Sequence, residues 1–447
     1  MGYKVYAGTL KVSNMNVHST LGYFSWVEKR LIFSTDAGEI GMTSDEPLLL
    51  EPKLTLSAND PGSLTFRVPE RIFDSGGLSF KNPMQGLLEL GHVFVSVEED
   101  DVTIFMGYIK SITKNFDLTQ EVEVVGVMDL LNYNPILWLP EEWRLIPTTP
   151  ALFIDGIIGH GLNSGVFFSP DGRGTSKMPI TFDPDSYDVT DKNKTVDTTD
   201  DGYQYMSFME CVQKYMLDEY GGYFRVDVDT VGDNQYRFVI RYTKDSKATT
   251  QQTVEYGKNL LDLNITTDVS GITNQVVVVN HTTKTKGWWI FKTTVTKTFS
   301  GVAREQESIN KYGLHEVVLT TDTAETNEKC TELAKEELAK RECYPIPELE
   351  ASACDRVDAG VKTDRLGFLK KSRVVSKPHD VDGVYLCTKE VIPLDDMTGK
   401  QFTFGLPPVK LSKMQNQLEA AQAATRNVTR GIVSAMNSTN TVSTTTT

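Results

Sequence analysis

No apolar run in the 447-residue chain approaches the roughly 18 residues that a membrane-spanning helix requires. The N-terminus, MGYKVYAGTLKVSN, alternates like a strand and has neither the apolar block nor the small-residue cleavage site of a signal peptide. Met1-Gly2 is followed by Tyr6 where a myristoylation motif needs Ser or Thr, so a protein made and folded in a cytoplasm is expected. Cysteine is sparse: Cys211, Cys330, Cys343, Cys354 and Cys387 are odd in number and show no CxxC spacing. That excludes the dense, even set of a small disulfide-stapled domain and predicts reduced, mostly buried thiols. The six histidines (His18, His92, His160, His281, His315 and His379) are scattered without metal-ligand spacing. HExxH, GxSxG, Walker A and GxGxxG are all missing, so the expected chain is not an enzyme and uses no cofactor or metal.

Basic charge is also in deficit. Lys and Arg number 45 against 60 Asp and Glu, a formal charge of −15. A field of that sign repels phosphates and argues against general nucleic-acid binding. Hydrophobic residues at 39% and charged residues at 23% are those of a folded chain, and the length allows two to four domains.

What is present is mostly strand. LTLSAND-PG-SLTFRVP (54–69) alternates apolar and polar on both sides of the turn-forming Asp60-Pro61-Gly62. His92 to Ile112 places two β-branched and aromatic runs around the acidic turn Glu98–Asp101, a hairpin pattern. VEVVGVMDLL (122–131) reads as a strand entering a short helical start. Residues 149–161 are expected to form a short helix, and the polar stretch 170–201 a long surface loop. Between Met206 and Leu217, the positions Met206, Met209, Val212 or Gln213, Met216 and Leu217 fall at helical spacing, stopped by Gly221-Gly222. YFRVDVD and QYRFVIRYT then form a hairpin around Gly232-Asp233-Asn234, and another is centred near Gly287. A helix is expected from about Thr323 to Glu342. Cys330, Leu333, Ala334, Glu337 and Leu338 lie on one stripe, and Asp322 is placed to cap its start. Strands resume as far as Phe404.

Few residues stand out as chemistry. Cys354 and His379 can be drawn as a nucleophile pair, but any five cysteines and six histidines offer such pairs. Asp183, Asp185, Asp188 and Asp191, and Asp227, Asp229 and Asp233, supply hard oxygens at close spacing but match no EF-hand, and solvated turns account for them. Trp288 and Trp289, with Lys284, Lys286 and Lys292 nearby, offer a stacking platform. On a strand, however, adjacent residues face opposite ways, so one Trp is read as core and the other as a contact residue. At the C-terminus, Leu411, Met414, Leu418, Ala421, Thr425, Val428, Ile432 and Ala435 fall on a and d positions. That predicts a coiled-coil oligomer seam carried by Leu411, Met414, Leu418, Val428 and Ile432, the alternative being one amphipathic helix packed on its own domain. A Thr-rich tail follows.

Four segments in order resemble a known family: LSANDPGSLTFRVPE; VSVEEDDVTIFMGYIKSITKNFD through EVEVVGVMDLL; FMECVQKYMLDEYGGYFRVDVD; and YGKNLLDLNITTDVSGITNQVVVVN with QESINKYGLHE and the helix before YPIPELEASACD. They cover most of residues 50–405 and resemble the central tail-hub proteins of bacteriophages, a baseplate-hub-like family also known as tail-associated lysin or prophage endopeptidase tail proteins. The resemblance implies a mainly β chain with an α+β insertion. Its domains would be a first tube-like β-barrel over 1–130, an α+β insertion over 131–255, a second barrel with one long helix over 256–410, and a C-terminal helix and tail over 411–447. It implies a virion structural protein at the tail tip, a homotrimeric ring joining tail tube and distal tail protein to a fibre or spike. Tape-measure protein and then DNA would use its channel, without specific binding. The acidic excess is expected to line that channel. Lytic members carry their activity in a domain downstream of the hub, and the heptads and tail here leave no room for one before residue 447. Two alternatives are a cell-wall hydrolase acting during entry and a receptor- or glycan-binding adhesin.

Overall fold

A computed structural model describes residues 2–13, 23–35, 49–73, 77–133, 153–154, 180–182, 206–218, 221–243, 246–286, 293–345, 347–358, 360–396 and 399–405. Strands dominate. In chain order they begin with β1 (Tyr3–Ser13), β2 (Tyr23–Ser34), β3 (Leu50–Ser57), β4 (Ser63–Pro69), β5 (Arg71–Phe73), β6 (Ser79–Lys81), β7 (Phe94–Glu99), β8 (Val102–Lys114) and β9 (Thr119–Gly126). The middle holds β10 (Ile180–Phe182), β11 (Tyr223–Gly232), β12 (Gln235–Thr243), β13 (Thr249–Glu255) and β14 (Leu260–Thr266). Then come β15 (Gln275–Lys286), β16 (Thr293–Arg304), β17 (Glu316–Thr320), β18 (Glu348–Ala353), β19 (Lys371–Ser376), β20 (Val381–Pro393) and β21 (Gln401–Phe404). The helices α1 (Phe208–Val212), α2 (Gln306–Tyr312) and α3 (Asn327–Ala339) are short. The fold is mainly β, as the sequence implies.

The chain divides into two compact units, one of Met1–Asn264 with Leu349–Pro407 and one whose described part is Ile265–Glu348. In the first, a long sheet runs β10-β12-β2-β1-β7-β8-β9-β4-β3-β20-β21-β18-β14, with β11 beside β12 and β19 beside β20 and β13. The described pairings form an open path and do not close into a barrel ring. Segments assigned separately by sequence, 1–130 and 256–410, share this sheet through the antiparallel pairing of β3 with β20.

The expected hairpins form for the expected reasons. β3 and β4 flank Asp60-Pro61-Gly62, where the Asp60 carboxylate accepts the Gly62 N–H at 3.1 Å. Gly126 faces this turn so closely that a Cβ there would collide with the Pro61 carbonyl. β7 and β8 turn through Asp100 (φ 50°) and Asp101 (φ 66°), the left-handed pair of a tight two-residue hairpin. Alternate side chains point inward, so Val5, Leu54, Phe66, Val97, Ile109, Val124 and Ile392 meet in one core. Each such burial is worth about 1.5–3 kcal/mol.

Two asparagines clip the β11–β12 hairpin to the first strands. Asn59 accepts the Phe224 N–H (2.7 Å) and donates to the Gly222 carbonyl (3.1 Å). Asn234, at the hairpin tip with φ 53°, accepts the Trp26 N–H (3.3 Å) and donates to the Trp26 carbonyl (3.1 Å). Phe24 stacks on Phe238 beside them, with ring centroids 4.4 Å apart.

Two expectations change. The segment 206–217 is an α-turn followed by a five-residue π-turn, Gln213–Leu217, which resets the phase. Phe208, Cys211, Val212, Tyr215, Met216 and Leu217 are buried, and Met206 and Met209 lie at the margin. Within the expected loop 170–201, Ile180–Phe182 is a strand pairing in parallel with β12. In the stretch 149–161 only Phe153 and Ile154 are described, and both are helical and buried.

In the second unit, β15 and β16 form the expected hairpin and β17 pairs in parallel with β15. α3 covers one face, burying Cys330 and Ala334 against Val276, Val278 and Ala303. Gly301 permits this approach, since a Cβ there would strike the Cys330–Thr331 backbone. The helix starts later than Asp322 would set it: Thr326 is the N-cap, its hydroxyl accepting the Lys329 N–H at 3.2 Å.

Candidate functional site

The residues singled out for chemistry do not converge. His379 hydrogen-bonds Ser376 (2.6 Å), and its ring meets Tyr256 edge-on. The backbone at Cys354 pairs with Asn259. Cys211, Cys330 and Cys387 are buried, and burial pushes the Cys211 thiol up to about 12. Asp227 and Asp229 are bound by arginines: Arg241 reaches Asp227 at 2.7 Å and Asp229 at 2.8 Å, and Arg225 reaches Asp227 at 2.9 Å. Among the described residues, no group of three or more His, Cys, Asp or Glu is placed to hold a metal. Asp183, Asp185, Asp188 and Asp191, Trp288 and Trp289, and the seam residues Leu411, Met414, Leu418, Val428 and Ile432 lie outside the described residues.

What the first unit does assemble is a cleft of about 420 Å³. Its walls come from the β3–β4 turn, the start of β8, β11, the run Arg365–Lys370, and Glu390 and Lys400. Among the described residues the lining carries charges of both signs and neither cysteine nor histidine.

At one end of the cleft lies a buried ion network drawn from distant parts of the chain. Arg365 approaches Asp358 at 2.7 Å, Glu99 at 3.2 Å and Asp100 at 3.6 Å. Lys400, 2% exposed, lies 3.0 Å from Asp358 Oδ2 and 4.0 Å from Glu99. Asp358 Oδ2 makes no aligned hydrogen bond, so the Lys400 approach is a charge contact. The Tyr3 hydroxyl donates to Glu99 at 2.8 Å. Burial and the Glu99 charge push that phenol well above its ordinary range. Asp355 accepts from Gln252 (2.7 Å) and from the Val357 N–H (3.0 Å) through Oδ1. Its Oδ2 is buried without a hydrogen bond, 4.0 Å from Arg365. Glu390, 6% exposed, accepts the Phe368 N–H at 2.8 Å. Burial pushes its carboxyl up to about 7, although Lys400 and the Phe368 N–H favour the charged form.

Another buried carboxylate, Asp129, lies just past the end of β9. Asp129 accepts from the Tyr108 hydroxyl (2.7 Å), Lys110 (3.3 Å) and Asn132 (3.2 Å). Burial opposes ionisation of Asp129, but these donors outweigh it and hold the carboxyl below its usual range.

Arg365 and Lys400 tie Glu99 and Asp100 of the β7–β8 turn to Asp358, and Tyr3 of β1 joins them through Glu99. Sequence reasoning missed this network because its members are hundreds of residues apart. One signal was legible: in the alternating run of β20, Glu390 occupies an inward position between Thr388 and Ile392.

No family model and no curated protein matches the chain. Among solved structures it is similar to the tail protein from Neisseria meningitidis MC58, at 11% identity and a TM-score of 0.51, covering 91% of this chain and 96% of that one. It also aligns with prophage tail protein gp18 from Listeria monocytogenes EGD-e at 11% identity and a TM-score of 0.49, covering 93% of this chain and 98% of that one. A third alignment is with the 43 kDa tail protein of prophage MuSo2 from Shewanella oneidensis, at 11% and 0.48, covering 90% and 98%. At this identity the likeness to the Neisseria meningitidis protein establishes a shared fold.

Proposed function

We propose that this chain is a structural component of a phage or phage-like tail, and within it the hub at the distal tip. The observation that carries the reading is the fold shared, over 91% of the chain, with a protein solved as a tail protein. The ordered segments of the sequence support the finer assignment: a trimeric ring between the tail tube and distal tail protein above and a fibre or spike below. In that arrangement each chain contributes two tube-like domains, the heptads from Leu411 to Ala435 run along the axis, and tape-measure protein and DNA pass through an acid-lined channel. The arginine and lysine contacts on Asp227, Asp229 and Asp358 support a joining role over a hydrolytic one.

Native mass spectrometry of the purified chain tests the oligomer. A mass of three chains is expected, and a persistent monomer under assembly conditions would overturn the ring. A zymogram on peptidoglycan tests the joining role. No clearing is expected, and clearing by this chain alone would reassign it as a hydrolase.

A further inference from the structure

Glu390 stands where the alternation of β20 calls for an apolar side chain, and an irregular strap lies against it. The strap is Leu366–Lys370, between Arg365 and β19. It is held at four points. The Phe368 N–H donates to Glu390 Oε2 (2.8 Å), and the Leu369 N–H donates to the Cys387 carbonyl (2.9 Å). The Cys387 N–H donates to the Lys370 carbonyl (3.0 Å), and the Ser246 hydroxyl donates to the Leu369 carbonyl (2.6 Å). Leu369 is held at φ 56°, a conformation that leucine rarely adopts, so these contacts maintain a strained backbone. Gly367 lies beside the carboxyl, where a Cβ would make ordinary contact with Glu390 Oε2 at 3.6 Å. Glu390 and the strap residues Leu366, Gly367, Phe368 and Lys370 all border the cleft.

The charged groups around Glu390 come from every side. Lys400 precedes β21, Lys370 ends the strap, and Glu99 ends β7. Arg365 and Tyr3 meet Glu99, Asp358 pairs with Arg365, and Cys387 lies on β20 itself. With Glu390 ionised, the carboxylates Glu99, Asp358 and Glu390 face Lys400, Lys370 and Arg365, with Glu390 and Lys400 themselves buried. With Glu390 protonated, one buried charge is removed.

We propose that Glu390 and the Leu366–Lys370 strap form a proton-operated latch on the cleft, closed over the neutral carboxyl and released when the carboxyl is hydrated and ionises. The step is an acid–base exchange: the carboxyl O–H bond breaks, its proton goes to water entering from the cleft, and no other bond changes. The closed state holds the proton up to about pH 7 and the hydrated open state only to about 4.5, the ordinary value. Opening therefore becomes easier as pH rises between those limits, by roughly tenfold per unit, and levels off above 7.

Amide hydrogen exchange on the full chain, corrected for the intrinsic pH dependence, tests the latch. Protection of Phe368 and Leu369 is expected to fall at least tenfold between pH 5 and pH 7 and to lie below that of the core Val124 amide at every pH, because the strap opens without global unfolding. In Glu390→Gln the strap should show a flat profile. A flat wild-type profile, an unchanged slope in the variant, or strap protection equal to that of Val124 throughout would each overturn the proposal. If Glu390→Gln does not fold, the wild-type profile and its Val124 control still decide.

Discussion

Replacing Lys400 with methionine tests whether the buried network holds the first unit together. Lys400 is 2% exposed and lies 3.0 Å from Asp358 and 4.0 Å from Glu99. At an effective dielectric of about 20, those two attractions are each about 4–6 kcal/mol before desolvation is subtracted. Methionine keeps most of the stem's volume and removes the charge, so packing changes little. The loss comes from carboxylates left buried without their cation, a situation that costs about 3–5 kcal/mol. Urea denaturation near pH 7.5, followed by far-UV circular dichroism, should show an unfolding midpoint lowered to match. Adding Asp358→Asn should recover part of that loss, because the second change removes one uncompensated charge. A Lys400→Met variant within 1 kcal/mol of the wild type, or a double variant as unstable as the sum of the two singles, would show that solvent already satisfies these charges and refute the reasoning.

Three further outcomes are expected. Glu390 is raised in the folded state, so its stabilising contribution is complete below about pH 4.5 and is lost as pH rises through about 7, roughly 3 kcal/mol in all; urea titrations at several pH values should show that slope in the wild type and not in Glu390→Gln. Asn59→Ala and Asn234→Ala each remove two hydrogen bonds between the β11–β12 hairpin and the first strands, a loss of about 1–3 kcal/mol; limited proteolysis should cut the hairpin faster in both. Leu418→Glu places a charge at a predicted seam position and should lower trimer stability in native mass spectrometry, while an unchanged trimer would remove Leu418 from the seam.

Local signals in the sequence carried most of the strands. Asp60-Pro61-Gly62 and the acidic turn at Asp100-Asp101 mark hairpins because turn residues and period-two alternation act within a few residues. The stripe Cys330–Ala334 was legible for the same reason, but the start of its helix was not. The Thr-rich stretch before it offers several cap residues, and Thr326 prevails over Asp322. The π-turn at Gln213–Leu217 escaped because it breaks the 3.6 period that the reading assumed. Ile180–Phe182 escaped because three residues amid polar neighbours become a strand only by pairing with β12, more than fifty residues later. The ion network was illegible for a stronger reason: Tyr3, Glu99, Asp358, Arg365, Glu390 and Lys400 meet only through the long-range register of β1 with β7 and of β3 with β20. Glu390 alone left a trace, as an acid out of place in an apolar alternation.

Electron microscopy of purified particles carrying a gold label on this chain tests the central claim most directly. The tail-hub assignment predicts label as a ring at the distal tip of the tail. Particles without label, or label confined to the head or lateral fibres, would contradict it.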